Sequence, residues 1–322
     1  MMSGHYSFTS CFAPFIESMI TEKRNAGFQY EHAEWILHKF DEFCNQEQVE
    51  TPVITQELAG KWGTLRKTET KVTLAGRISV LRQLSLYMQA YGIKCYVPRN
   101  FTRKSNRSAY VLSIEEIQSL FLEIDSYQPT INAEVFHRLA LEYRILFRIL
   151  FCCGLRVSEA RKLRLDMVDL ENGVLKIYQS KGSNDRLVYL PDDLRQLCCE
   201  YLKIMTVKYK IKSEWFFPAS DPAKVLQVAS VGKRFHRAWE QTPYARERAL
   251  QPTVHSLRHT FVVLRMNEWM KSGVKLDNMM PYLSKYLGHS SPDDTFYYYH
   301  QVEEAFSIIK QKDQSASFVI PE

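Results

Sequence analysis

Along the chain, apolar positions fall first into helical periods. From Ser10 to Gln46, Phe15 and Met19, then Trp35, Leu37, Phe40 and Phe43, recur at helical spacing, with a break at Ala26–Gly27. From Lys71 to Tyr91, the positions Leu74, Ile78, Leu81, Leu84, Met88 and Tyr91 form one stripe, with Lys71 and Arg82 on the polar side and Gly92 as the stop. Ser113 followed by Glu116 is a capping-box signature that opens a helix over Ile114 to Ile124. A long apolar helix is predicted over Glu134 to Cys152; Gly154 ends it, and a helix restarts over Ser158 to Leu163. The clear β signal follows. Residues 174–178 and 187–190 flank Lys181-Gly182-Ser183-Asn184-Asp185, which reads as a hairpin. After Pro191 the pattern is mostly helical. The expected fold class is therefore mainly α with a small antiparallel sheet: a helical domain over 1–97, a linker over 98–111 and a larger domain over 112–322.

Charge sharpens this division. The formal net charge of +6 is uneven. Residues 1–60 hold nine acidic groups against three basic ones, whereas residues 61–107 hold eleven basic groups and one acid, Glu69. A block of that density fits a phosphate-binding surface such as the nucleic-acid backbone presents. Its bland alternative is a solvated face with no partner. The linker 98–111 carries four basic residues and no acid. Candidate DNA contacts in and around this block are Lys67, Lys71, Arg82, Arg99, Arg103, Lys104 and Arg107.

Composition then removes several classes. A length of 322 residues predicts two or three domains, and 45% hydrophobic with 24% charged content argues against a disordered chain. No apolar run approaches the roughly 20 residues of a membrane span. No basic segment followed by an apolar one marks a secretory signal. The seven cysteines include two adjacent pairs and no CxxC, which suits neither a disulfide framework nor a zinc site. They read as small apolar fillers in a reducing, cytoplasmic setting, and no metal or other cofactor is expected.

Four segments of the larger domain gather cationic and aromatic side chains. They are Gly154-Leu155-Arg156-Val157-Ser158-Glu159, the hairpin Lys181, His255-Ser256-Leu257-Arg258-His259, and the stretch from Leu287-Gly288-His289 to Tyr298-Tyr299-His300. Two guanidiniums can fork onto one phosphodiester and offset the charge that builds on its oxygens during attack. His255 and Arg258 are three apart and share a helix face. A tyrosine beside such cations has a stabilised phenolate, and a phenolate can attack phosphorus. No GxxxxGK[ST] loop and no carboxylate cluster for Mg²⁺ occurs, so phosphoryl transfer would run on side chains alone. Taken singly, each piece has a plain structural reading: a helix-start ion pair, a solvated lysine, a polar helix face, a cap histidine, a packing cluster of tyrosines.

Their order and spacing are what carry further. A G-x-R-x-x-E element, a hairpin Lys, H-x-x-R, L-G-H and a Tyr nine residues after that His occur here as Gly154-Leu155-Arg156…Glu159, Lys181, His255…Arg258, Leu287-Gly288-His289 and Tyr298. In this the chain resembles the tyrosine recombinases, the integrase family of DNA breaking–joining enzymes, over about residues 112 to 300. The resemblance implies that Tyr298 is the nucleophile forming a 3′-phosphotyrosyl bond and that Arg156 and Arg258 clamp the scissile phosphate. It implies Lys181 as the proton donor to the leaving 5′ oxygen, His255 as an aid to proton transfer, His289 as a hydrogen-bond donor to the phosphate, and Glu159 in support of Arg156. Tyr297 and Tyr299 remain neighbouring alternatives; spacing and the pattern Tyr298-x-His300 favour the middle residue. The resemblance also implies a C-shaped clamp on duplex DNA, a homotetramer on two recombination sites with a four-way junction between them, and a compact Xer-like or mobile-element recombinase. The apolar stripe Val302, Ala305, Phe306 and Ile309 would mark a C-terminal tail able to dock on a neighbouring protomer or on its own core. Two rival readings stay open: a topoisomerase IB-like nicking and resealing enzyme, and a DNA-binding factor without catalysis.

Overall fold

The computed structural model describes residues 6–99, 109–178, 185–247, 250–289, 291, 293–296 and 298. The chain divides into two units, Met1–Arg107 and Ser108–Glu322.

Among the described residues, the first unit has four helices: α1 (Ala13–Asn25), α2 (Glu31–Gln46), α3 (Gln56–Trp62) and α4 (Lys71–Ala90). The expected break between the first two is present, and Gly27 and Tyr30 both take left-handed φ within it. Thr55 and Thr70 cap α3 and α4 by accepting hydrogen bonds from Leu58 and Thr73 backbone N–H groups. Ile16, Met19, Phe40, Trp62, Leu81, Leu84 and Met88 fill the core. Trp62 lies between the Phe40 ring, 5.3 Å away edge-on, and the Arg77 guanidinium, 4.6 Å over its face. Two positions depart from the sequence pattern. Trp35 is 43% exposed and stacks on His32 instead of entering the core. Tyr91 caps α4 from outside it, with its hydroxyl on Glu22.

The second unit opens with α5 (Ile114–Ser126), whose capping box between Ser113 and Glu116 forms in full. Next come α6 (Glu134–Cys152) and a single turn, α7 (Val157–Ala160). The expected helix to Leu163 is therefore cut short. The backbone there is captured by another segment: Phe216 N–H donates to Leu163 O and Leu165 N–H to Glu214 O. Three short strands follow, β1 (Val168–Asp169), β2 (Val174–Ile177) and β3 (Arg186–Tyr189), antiparallel in that order. Leu175 pairs with Val188 and both side chains point into the core. The sheet thus has the expected hairpin and a two-residue strand that the sequence pattern does not mark. The rest is helical in α8 (Asp192–Lys203), α9 (Val228–Gln241), α10 (Val254–Lys271), α11 (Leu276–Leu287) and α12 (Asp293–Phe296).

The α6 residues Leu146, Phe147 and Leu150 centre the main core, with Phe216, Phe217, Phe235 and Trp239 around them. A smaller cluster joins α10 to α11 through Phe261, Val262, Met266, Met280, Leu283 and Leu287, and Tyr298 belongs to it. That cluster fixes the end of α11 against the start of α10. All seven cysteines are free thiols. No described helix is long and apolar enough to cross a membrane.

Candidate active site

The site is built at the C-terminal end of α11. A helix end leaves its last carbonyls without intrahelical partners and carries partial negative charge. Here three successive carbonyls each receive an arginine. Arg186 Nε donates to Tyr286 O at 2.6 Å, Arg258 Nη2 to Leu287 O at 2.8 Å, and Arg156 Nη2 to Gly288 O at 2.8 Å. The arginines come from β3, from α10 and from the residue before α7, so one helix end gathers three remote parts of the chain. Gly288 caps α11 in the left-handed conformation, φ +64°, and a Cβ there would stand 2.9 Å from Arg186 Nη1. The turn brings His289 around, its N–H donating to Ser284 O.

Arg258 is 2% exposed. Besides Leu287 O it donates to Gly154 O at 2.6 Å and, through Nη2, meets His289 Nε2 at 3.0 Å. Burial first, then Arg156, bring its pKa down to about 10, which leaves it charged at neutral pH. Since Arg258 has no acceptor atom, His289 Nε2 must be the lone-pair nitrogen. The proton then sits on Nδ1 and is donated to Thr295 Oγ1, 2.6 Å away. Burial, Arg258 and Arg156 hold the His289 pKa near 3 and keep this tautomer neutral.

Glu159 balances part of the positive charge. Arg156 Nη1 donates to its Oε1 at 2.9 Å, and Arg186 binds both its oxygens, at 3.1 and 2.9 Å. Its Oε2 also accepts the Arg156 backbone N–H. Burial alone would raise its pKa; the Arg186 hydrogen bonds and charge, with those of Arg156, outweigh that and hold it below the ordinary range. Three guanidiniums against one carboxylate leave two positive charges, the sign required to bind a phosphodiester.

Tyr298 is 4% exposed, and its hydroxyl lies 2.6 Å from His259 Nδ1. His259 directly follows Arg258, so the tyrosine reaches the cation cluster through that residue. The Tyr298 side chain is also close enough to Arg258 to act on its charge. His255, one turn earlier, meets the His259 ring edge-on at 4.4 Å. Although His255 faces solvent, the recess around it is partly desolvated. That, with Arg258 and Arg156, brings its pKa to about 4.

The candidates from the sequence thus fall into two groups. Arg156, Glu159, Arg258 and His289 meet at one turn. Tyr298 and His255 flank His259 beside it. Lys181, Tyr297, Tyr299 and the tail stripe from Val302 lie outside the described residues, as do Arg103, Lys104 and Arg107. In the first unit Lys67, Lys71 and Arg99 are exposed, whereas Arg82 donates to Pro98 O at 2.8 Å and ties the end of that unit to α4. Sequence reasoning missed Arg186, His259 and Thr295. His259 had a visible signal, its place beside Arg258; Arg186 looked like any basic residue opening a strand.

Comparison with known proteins agrees with this architecture. The phage integrase family model matches residues 112–305. Protein y4rB of Sinorhizobium fredii is 27% identical over 298 residues, 90% of this chain and 92% of its own. Tyrosine recombinase XerD of Pseudomonas aeruginosa is 30% identical over 172 residues, 52% of each chain. Among solved structures, XerH site-specific recombinase bound to a palindromic difH substrate, a post-cleavage complex, aligns with a TM-score of 0.64 at 22% identity, covering 92% of this chain and 83% of that one. With more than half its length matched by the family model, the chain belongs to the phage integrase family, the tyrosine recombinases.

Proposed function

We propose that the protein is a site-specific DNA recombinase that cleaves and rejoins duplex DNA through a 3′-phosphotyrosyl intermediate on Tyr298. The observation that carries this reading is the convergence at the end of α11. Arg156 and Arg258 bond adjacent carbonyls there, His289 contacts Arg258, and the Tyr298 hydroxyl bonds the residue next to Arg258. In the proposed reaction the two guanidiniums clamp the non-bridging oxygens of the scissile phosphate. Once released from Arg258, His289 donates to the same group in the tautomer that carries its proton on Nε2, with Thr295 Oγ1 then donating to Nδ1. Tyr298 attacks phosphorus, and Lys181 protonates the leaving 5′ oxygen. The phosphotyrosyl ester conserves the free energy of the phosphodiester, so rejoining needs no nucleotide cofactor. Partner strands would be exchanged within a homotetramer on two sites, in a cytoplasmic setting and without membrane association. The DNA-bound state of XerH supports the substrate class.

The test is covalent capture. The protein is incubated with a library of randomised duplexes carrying one nick, which traps the cleaved strand, and the mixture is run on a denaturing gel. An adduct from the wild-type chain that is absent in Tyr298→Phe is the expected result. An adduct retained in Tyr298→Phe, or no adduct from the wild type, overturns the reading. A plasmid carrying two copies of the captured sequence then separates recombination, which gives deletion or inversion, from simple nicking and resealing.

A further inference from the structure

We propose that His259 takes the proton from the Tyr298 hydroxyl as the phosphotyrosyl bond forms. The inference rests on the reading of Tyr298 as nucleophile and adds its partner. At 2.6 Å from Tyr298 Oη, His259 Nδ1 is within direct reach of the phenol proton. In the proposed arrangement the tyrosine donates, and Nδ1 holds the lone pair of the neutral imidazole. With Tyr298 only 4% exposed, bulk water is poorly placed to serve as the acceptor.

The helix sets the division of labour. Arg258 and His259 are consecutive on α10, so their side chains leave the helix about 100° apart. Arg258 turns to the end of α11, and His259 turns to Tyr298. The His255 ring, edge-on at 4.4 Å, limits the rotation of His259. The ionisable groups facing His259 are His255 and Arg258 from its own helix and Tyr298 from beyond α12. Burial, then His255 and Arg258, bring the His259 pKa to about 3, so the imidazole is neutral at physiological pH.

The step balances as follows. The Tyr298 O–H bond breaks and its proton moves to Nδ1, giving an imidazolium. The phenolate electron pair forms the bond to phosphorus. The bond from phosphorus to the 5′ oxygen breaks, and that oxygen takes its proton from the donor assigned to Lys181. Rejoining reverses each transfer, with the imidazolium returning its proton to Tyr298. The negative phosphate beside His259 offsets the charge the imidazole acquires.

The experiment measures adduct formation on the captured nicked duplex from pH 6 to 10 for the wild type, His259→Ala, His259→Asn and Tyr298→Phe. Asparagine retains an acceptor near the Nδ1 position but cannot take the proton. Both His259 variants should bind the duplex as the wild type does in a gel shift, yet cleave about 10²-fold more slowly at pH 7. Their rates should climb with pH toward the wild type as the phenol ionises unaided. A wild-type rate in either variant, or a loss that is the same at every pH, overturns the proposal. Should both variants fail to fold, difluorotyrosine at position 298 in the otherwise native chain decides. A more acidic phenol needs its acceptor less, so the rate should depend less on pH; an unchanged profile counts against His259. Tyr298→Phe reads the parent proposal separately. If it still forms adduct, the nucleophile is misassigned; if it does not while the His259 variants match the wild type, only His259 is.

Discussion

The Glu159 carboxylate is buried between two guanidiniums, with side-chain exposures of 6% for Glu159 and 5% for Arg186. Removing one partner of a buried pair leaves a charge without compensation, a loss of about 3–5 kcal/mol. Arg156 still holds Glu159, so Arg186→Met should cost about 3 kcal/mol in urea unfolding, the lower end of that range. The double variant with Glu159→Gln should recover part of it, because the orphaned charge is gone. Two half-buried histidines make a second prediction. His259 and His289 have folded pKa values near 3 against an ordinary value of 6.5. The unfolded chain therefore binds more protons between those limits. The stability they contribute is complete above pH 6.5 and is lost as pH falls toward 3, by at most about 1.4 kcal/mol per unit for each imidazole. Melting by circular dichroism at pH 7, 5.5 and 4.5 should show this decline, and His289→Asn should make it shallower. At this scale the sequence exposed residues whose partners lie within a short motif, such as Arg156 with Glu159. Arg186 stayed hidden because its partners, Glu159 and Tyr286, are 27 and 100 positions away.

Elements were legible where local signals were complete. The Ser113–Glu116 box, the long α6 and the glycine after α4 all lie in consecutive residues, so pattern and structure agree. The helix expected to Leu163 failed because pairing with residues 214–216 competes for the same backbone groups, and such pairing leaves no local trace. Two glycines end elements at the site, and they differ in tolerance. At Gly288 a methyl group meets the end of the Arg186 side chain at 2.9 Å; at Gly154 it meets the Phe261 ring at 2.4 Å, inside packed core. Both have positive φ. Gly288→Ala should therefore cost about 1–2 kcal/mol, from backbone strain. Gly154→Ala should add an overpacking cost of about 1–3 kcal/mol to the same strain. Urea unfolding of the two variants checks both the size and the order.

For the whole molecule, the charge imbalance seen in the sequence needs one adjustment. Arg77 and Glu69 within the basic block are buried and paired with each other, so Arg77 holds Trp62 and is not offered to solvent. Lys67, Lys71 and Arg99 are exposed. If these contact phosphates, each Ala substitution should reduce the log–log slope of DNA affinity against salt by about 0.9. Arg77→Met should leave that slope unchanged while lowering the stability of the first unit. Filter binding over a salt series, paired with thermal melts, distinguishes the two behaviours. The division between the two units, at Arg107 and Ser108, falls within the basic stretch that the charge distribution singles out.

Three arginines from distant parts of the chain take their bearings from Tyr286, Leu287 and Gly288. Those carbonyls act as a common origin for the arginine cluster, which divides the polypeptide into stretches that tolerate a change of length and one that does not. Adding a single residue between Tyr286 and His289 would shift every cation relative to the others at once. The same addition in an exposed loop that makes no hydrogen bond to those residues, such as the one around Thr130 between α5 and α6, would leave them in register. An engineer grafting a tag or a sensor onto this protein should cut there and leave the last turn of α11 whole.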